Sequence, residues 1–357
     1  MSTLRDFAGC AAIVAMAWVL AGVAANGQTA SPAVATRGMV IDTGMYTPFV
    51  ENMDRSLAFY HDVFGMEVPP LPESGSRPYN NPNPRLFAMF DIPGAKERHQ
   101  SARVRGIRTG VEPMEIQDVD HKTVVLRIQD PGNATLVLVV RDIDSILARI
   151  KEAKLAIVTA GGKPVALADG GRAILVRDID NRFIEIRQPA SMPQTSSMGN
   201  IADIRVSVTV QDMDRTKQVY RDVLGFTVEG ETAFAADASA QALTGLPHAE
   251  VRRSRVQARD SALWLEFVEF KGVDRTPLRM RIQDRGATRL QLRTQGIDDL
   301  VRAVKAAGLT VVSQGEVAVP IPPDFRGALV ADPSNFFVSL FEPCDGCAPR
   351  TLPSSTR

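Results

Sequence analysis

Two stretches, VENMDRSLAFYHDVFGMEV from Val50 and VQDMDRTKQVYRDVLGFTV from Val210, carry the same pattern in different residues. In each, an apolar run ends at a polar pair, Asn52 with Asp54 or Asp212 with Asp214, of the kind that caps a helix. Leu57, Tyr60 and Phe64 then recur at helical spacing, which predicts a helix over Arg55–Phe64. Gly65 suits the left-handed position that ends it. The run before the cap, Met45–Val50, reads as a strand.

The repetition extends along the chain. MEIQDVDHKTVVLRIQDPGNATLVL from Met114 matches VEFKGVDRTPLRMRIQDRGATRLQL from Val268, an offset of 154 residues. The same offset relates LVRDIDNRFIEI from Leu175 to LVADPSNFFVSL from Leu329, whereas the first helices are 160 apart. Self-similarity at such a period means two copies of one unit. Each copy is doubled again inside. ATLVLVVRDIDSILARIKEAKL from Ala134 repeats the strand–cap–helix order, with Ile143, Ile146, Leu147 and Ile150 on one helical face. It closes in a hairpin where Phe183, Glu185 and Arg187 share one face and Ile184 and Ile186 the other. The plan is strand–helix–strand–strand–strand, four times.

Composition sets the outer limits. The chain has 357 residues, 45% hydrophobic and 23% charged, with 41 basic and 41 acidic side chains. That is a globular composition without the basic excess of a nucleic-acid partner. Asp6 apart, the start MSTLRDFAGCAAIVAMAWVLAGVAANGQTA is an apolar run from Ala8 to Ala25 behind Arg5, ending in small residues Val23, Ala24 and Ala25. It reads as a signal peptide over 1–25 and a flexible segment over 26–39, with a membrane anchor as the rival. Export leads to a periplasmic or extracellular protein, and no membrane partner is expected after cleavage. Of three cysteines, Cys344 and Cys347 lie in FEPCDGCAPR, and an even pair in an exported chain favours a local disulfide.

ENMDRSLAFYHDVFGM, QDMDRTKQVYRDVLGF, the two RIQD segments and the RDIDNRFIEI hairpin resemble the vicinal oxygen chelate superfamily, which includes glyoxalases, bleomycin-resistance proteins and extradiol dioxygenases. The resemblance runs from about Met45 to Phe341. It implies an α+β fold of two tandem domains, 40–190 and 200–343, joined by the linker 191–199 and followed by a tail over 344–357. Each domain is expected as a pair of βαβββ modules curled into a bowl-shaped half-barrel. In the family a divalent metal sits in the bowl, held by His or Gln on a first strand and Glu on a last strand, and acts as a Lewis acid on neighbouring substrate oxygens.

Carried onto this chain, the implied first-strand positions are Met45, Thr135, Arg205 and Arg289, and none is His or Gln. The last-strand positions are Glu112, Glu185, Glu266 and Ser339, with Glu115 and Glu269 as alternatives for the first and third. Grouped by copy, the first bowl would hold Met45, Glu112, Thr135 and Glu185. Glu112 and Glu185 are then the candidate ligands of a weakly held divalent metal, and no other cofactor is expected. The second bowl would hold Arg205, Glu266, Arg289 and Ser339, with Trp264 on the Glu266 face. Two guanidinium groups there would repel a divalent cation; they suit either an internal Arg–Glu–Arg cluster that replaces the metal or a grip on an anionic ligand. The histidines are read as lying outside the site: His61 on the first helix, His121 past a strand end, His99 and His248 in polar segments between strands. The Pro- and Asn-rich stretch Pro69–Pro84 reads as a long loop or lid, from which Tyr79 could close over a ligand or cover the core.

The leading expectation is an exported tandem protein with degenerate metal sites that binds a small molecule in its bowl, with a homo-oligomer compatible. The alternative is a metal-dependent glyoxalase-, epimerase- or dioxygenase-type enzyme active in the first domain only. The sequence leaves open whether modules pair within a copy or between copies.

Overall fold

The computed structural model describes residues 38–79, 84–321 and 324–344. The expected signal peptide and Cys347 lie outside them. The first module comprises β1 (Met39–Pro48), α1 (Met53–Phe64), an inserted α2 (Pro84–Phe90), β2 (Lys96–His99) and β3 (Met114–Gln117). The second comprises β4 (Ala134–Val140), α3 (Ile143–Glu152), β5 (Val165–Ala166), β6 (Arg172–Arg177) and β7 (Phe183–Gln188). The third runs through β8 (Ile201–Thr209), α4 (Met213–Gln218), β9 (Thr227–Glu229), α5 (Ala238–Thr244), β10 (Glu250–Gln257) and β11 (Trp264–Lys271). The fourth holds β12 (Thr288–Gln295), α6 (Ile297–Ala306), β13 (Thr310–Val311), β14 (Val319–Ile321), β15 (Phe325–Ala331) and β16 (Phe337–Pro343). Among the described residues no helix is long and apolar enough to cross a membrane.

The caps act as the sequence predicts. Asn52 accepts from the Arg55 N–H at 2.9 Å, Asp212 from Arg215 at 2.9 Å, and Asp142 from Asp144 and Ser145. Gly65 adopts φ 71°, where a side chain would be strained. The fourth module departs from this: Gly296 precedes α6 without a capping side chain, and the Glu342 carboxylate reaches across to accept from Gly296 and Ile297 instead.

Modules pair between copies. β4 of the first copy runs antiparallel to β8 of the second, setting Thr135 opposite Ser207 and Val137 opposite Arg205. This seam makes one eight-stranded sheet, β5-β6-β7-β4-β8-β11-β10-β9, from the second and third modules. β1 and β12 form the other seam, with Thr47 opposite Arg289. There the fourth module continues as β12-β16-β15-β13, and the first module folds against β1 through bridges Tyr46–Val111 and Phe49–Met114. The α+β class, the tandem segments and the bowl-shaped sheets are as expected; each bowl takes half its wall from each copy. Apolar faces of α1, α3, α4 and α6 meet the outer faces of both sheets in one buried cluster that includes Leu57, Ile146, Met213 and Leu300.

The hairpin turns of the two copies differ at one informative place. Asp178 accepts backbone N–H bonds from Asp180 and Arg182, and Asp332 does the same from Ser334 and Phe336. Arg182 is 1% exposed, with Asp180 at 3.7 Å and Asp178 at 4.0 Å; Phe336 takes its place in the second copy. Asp332 therefore has no cation beside it among the described residues, and the Tyr220 hydroxyl donates to it at 3.3 Å. Burial pushes the Asp332 carboxyl up to about 6 despite those hydrogen bonds. A raised carboxylate pKa gives stability that is full below the unfolded value, near 4, and is lost as pH rises through about 6. Asp332→Asn keeps the acceptor oxygen and removes the charge. The variant should be more stable than the parent at pH 8 by up to about 3 kcal/mol, with the gap closing toward pH 4, as urea melts at both pH values would reveal.

Candidate functional site

Pairing between copies rearranges the candidate residues. Glu112 and Glu185 do not meet, which corrects their grouping as one metal site, and Arg289 is parted from Arg205, Trp264 and Glu266. One bowl collects Met45, Glu112, Arg289 and Ser339, and the other Thr135, Glu185, Arg205 and Glu266. The choice between neighbouring glutamates is also settled. Glu115 accepts from the Met53 N–H at 3.0 Å and Glu269 from the Met213 N–H at 2.8 Å, so both hold helix N-termini. Arg98 and Arg252 pair with them at 2.7 and 2.8 Å. Tyr79 donates to Glu115 with the Arg98 guanidinium over its ring, so it belongs to this buried cluster and not to a lid.

The bowl of the second and third modules is filled. Glu185 meets Arg187 at 2.6 Å, and Glu266 lies 3.5 Å from Arg253 and 3.8 Å from Arg187. Arg205 turns to Asp203 at 2.8 Å. Trp264 and Glu266 do share the inward face, beside Val137 and Arg255, but the space they line is about 10 Å³. A second gap, about 30 Å³, lies between Thr135, Glu185 and Leu243 of α5. Neither holds more than a water or two. Burial pushes the Glu266 carboxyl up, yet Arg253, Arg187, Arg255 and Arg205 outweigh it and hold the group below its ordinary range.

The bowl of the first and fourth modules is open. Its cavity measures about 880 Å³, within the range of small-molecule sites. Arg289 lies at its base, 2% exposed, donating to Ser339 at 2.9 Å and lying 3.7 Å from Glu112. Phe90 and Phe341 lie near the guanidinium, at 5.3 and 5.7 Å. Gln291 donates to Glu112 at 2.6 Å. Burial brings the Arg289 pKa down to about 10 against the pull of Glu112 and Glu97, so it remains a cation at neutral pH. Met45, Leu86, Met114 and Phe341 give the wall an apolar side. Arg103, Arg108 and Arg293 line it as exposed residues, and among the described residues only Arg108 of the three has a carboxylate partner, Asp42 at 2.6 Å. Cys344, which is disulfide-bonded, also borders the cavity.

His99 was placed outside the site by its charged neighbourhood, KERH. The structure makes that segment β2, where Glu97 and His99 point the same way into the cavity. The signal was present in the repeat: Arg98 matches Arg252 at the offset of 154, so KERH is a strand equivalent to β10. The other histidines stay away: His61 pairs with Asp62 on the surface, His121 borders a minor gap and His248 is exposed.

The family model for the glyoxalase/bleomycin resistance protein/dioxygenase superfamily matches residues 44–186 and 204–340. The chain belongs to this superfamily. Glyoxalase I from Zea mays superposes with a TM-score of 0.54 at 17% identity, over 85% of this chain and 92% of that one. A putative dioxygenase from Bacillus subtilis subsp. subtilis str. 168 gives 0.52 at 12% identity, over 86% and 87%. At such identities the likeness is one of fold. The curated proteins contain no match.

The superfamily's metal does not fit the residues here. In the open bowl the four positions are a thioether, a carboxylate, a guanidinium and the serine bonded to it. A cation at Arg289 repels a neighbouring unit charge by about 4 kcal/mol at an effective dielectric near 20, and a divalent ion doubles that. In the filled bowl two carboxylates are spent on arginines. Among the described residues no group of three or more His, Cys, Asp or Glu is placed to hold a metal ion. The filled bowl should instead depend on its own charge balance. Glu266→Gln leaves Arg253 without its anion while Arg187 keeps Glu185 and Arg205 keeps Asp203, and should cost about 1–3 kcal/mol in a denaturant melt, with the fold retained.

Proposed function

We propose that this superfamily member binds an anionic small molecule, without a metal, in the cavity between its first and fourth modules, and that it does so as an exported protein. The observation that carries the reading is the 880 Å³ cavity with Arg289 at the metal position. A guanidinium fixed by Ser339 and flanked by Phe90 and Phe341 is a preorganised anion contact, and it needs little reordering when a carboxylate arrives. Arg103 and Arg293, which have no carboxylate partner among the described residues, add positive potential on the way in. The apolar wall suits a ligand with a hydrocarbon or aromatic body. Export is supported by the apolar run Ala8–Ala25 and by Cys344 being disulfide-bonded.

Two measurements test this. A branched carboxylate such as 4-methyl-2-oxopentanoate should raise the melting temperature by a few degrees at saturation, and its methyl ester should not. Arg103→Ala with Arg293→Ala should weaken the carboxylate effect, while zinc, manganese, nickel or EDTA leaves the melting temperature unchanged. Equal shifts with acid and ester, or a metal-dependent melt, would overturn the reading. Mass spectrometry of the protein recovered from its native host should find a chain beginning near Asn26; a soluble product retaining residues 1–25 would contradict export.

A further inference from the structure

We propose that the open bowl also performs acid–base chemistry, with His99 as the general base, Glu97 as its positioning residue and Arg289 as the cation for an oxygen that gains negative charge. The inference rests on the binding reading above and adds a reaction to it. The class of substrate is a carboxylate with a carbon-bound proton next to a carbonyl group.

The geometry begins with β2. Residues two apart on a strand share a face, so Glu97 and His99 both turn to the cavity. Glu97 is 2% exposed and its carboxylate lies 2.8 Å from His99 Nδ1. With Glu97 ionised its carboxylate only accepts, which puts the hydrogen on Nδ1 and leaves Nε2 of the neutral ring its lone pair. A buried acid fixing one imidazole nitrogen while the other is left to react is the arrangement that general bases use. The ring itself is 37% exposed at the side chain, so a substrate can reach it. Burial lowers the proton affinity of His99, but Glu97 and Glu112 outweigh this against the opposing charge of Arg289, so the ring holds a proton more readily than an ordinary histidine. That favours a base that must keep the proton until it is returned.

The internal repeat supplies an independent comparison. Arg98 aligns with Arg252, so His99 aligns with Arg253 and Glu97 with Val251. In the filled bowl Arg253 serves Glu266 and Val251 is core. The acid–imidazole pair thus occurs only in the bowl that has room for a substrate.

The step is balanced within the site. His99 Nε2 takes the proton from the carbon beside the carbonyl, and the C–H electron pair forms a carbon–carbon double bond. The carbonyl oxygen takes the negative charge, facing Arg289. The imidazolium then returns the proton to the same carbon as the carbonyl re-forms. No oxidant, reductant or metal takes part.

The test uses the full mature chain and 4-methyl-2-oxopentanoate in heavy water with EDTA. Proton NMR follows loss of the signal beside the carbonyl, and the melting-temperature shift in matched samples reports binding. The parent should accelerate exchange well above buffer. His99→Gln should slow it at least 100-fold, with any loss of probe affinity no more than 10-fold. Glu97→Gln should slow it less and move its pH profile to lower pH; His99→Asn gives a second reading if either variant is unstable. A probe that binds but exchanges at the buffer rate, or equally in His99→Gln, would overturn this inference and leave the binding reading standing. A probe that fails to bind would overturn both.

Discussion

The antiparallel seam between first strands of different copies governs everything else in this molecule. Strand edges must be paired or covered, and β1 and β4 each find their partner in the second copy rather than in each other. That choice places Arg289 beside Glu112 and Arg205 near Glu185. Had the seams closed within each copy, Glu112 and Glu185 would share a bowl free of first-strand arginines. The charge character of both sites therefore follows from backbone pairing far from any ligand.

Given that pairing, the two bowls have diverged by different means. One is packed from within: α5 lays Leu243 toward the sheet, and the inward arginines and glutamates neutralise one another. Such a network is costly to bury and costly to break, so it rigidifies its sheet without leaving anything for a partner. In the other bowl α2 takes the equivalent seat, the Met89 carbonyl accepting from Ser313 Oγ as the Leu243 carbonyl does from Thr159 Oγ1, yet the centre stays open, lined by His99, Glu112 and Phe341 rather than by a self-paired cluster. Its charges are spread between base and rim. The difference between a site and a scaffold lies here in which charged side chains face the centre and whether they pair there.

Much of the fold was legible. Cap residues at Asn52, Asp142 and Asp212, the glycine after α1 and the alternation in β7 all report local physics, which a sequence carries directly. Trp264 and Glu266 were rightly placed on one face for the same reason. Module pairing was not legible, because it depends on edges distant in the chain, Thr135 with Ser207 at one seam and Thr47 with Arg289 at the other, whose apolar runs look alike. The choice of Glu112 over Glu115 needed to know that a helix N-terminus consumes the second. His99 was missed because a four-residue strand of charged residues lacks the apolar alternation that marks a strand. Its membership followed only from a register shared with β10.

One chain made of two copies is a covalent dimer, and shared bowls give that fact an evolutionary edge. A single copy would leave β1 and β4 without their seams, and two identical copies joining by a twofold axis would build two identical bowls. Any residue change would then strike both at once. Fusion ends that constraint: Arg182 and Phe336, or His99 and Arg253, descend from one position yet answer to different demands. Linking the copies let one bowl become mortar while its twin kept a chamber, a division of labour that no homodimer of the ancestral unit could inherit.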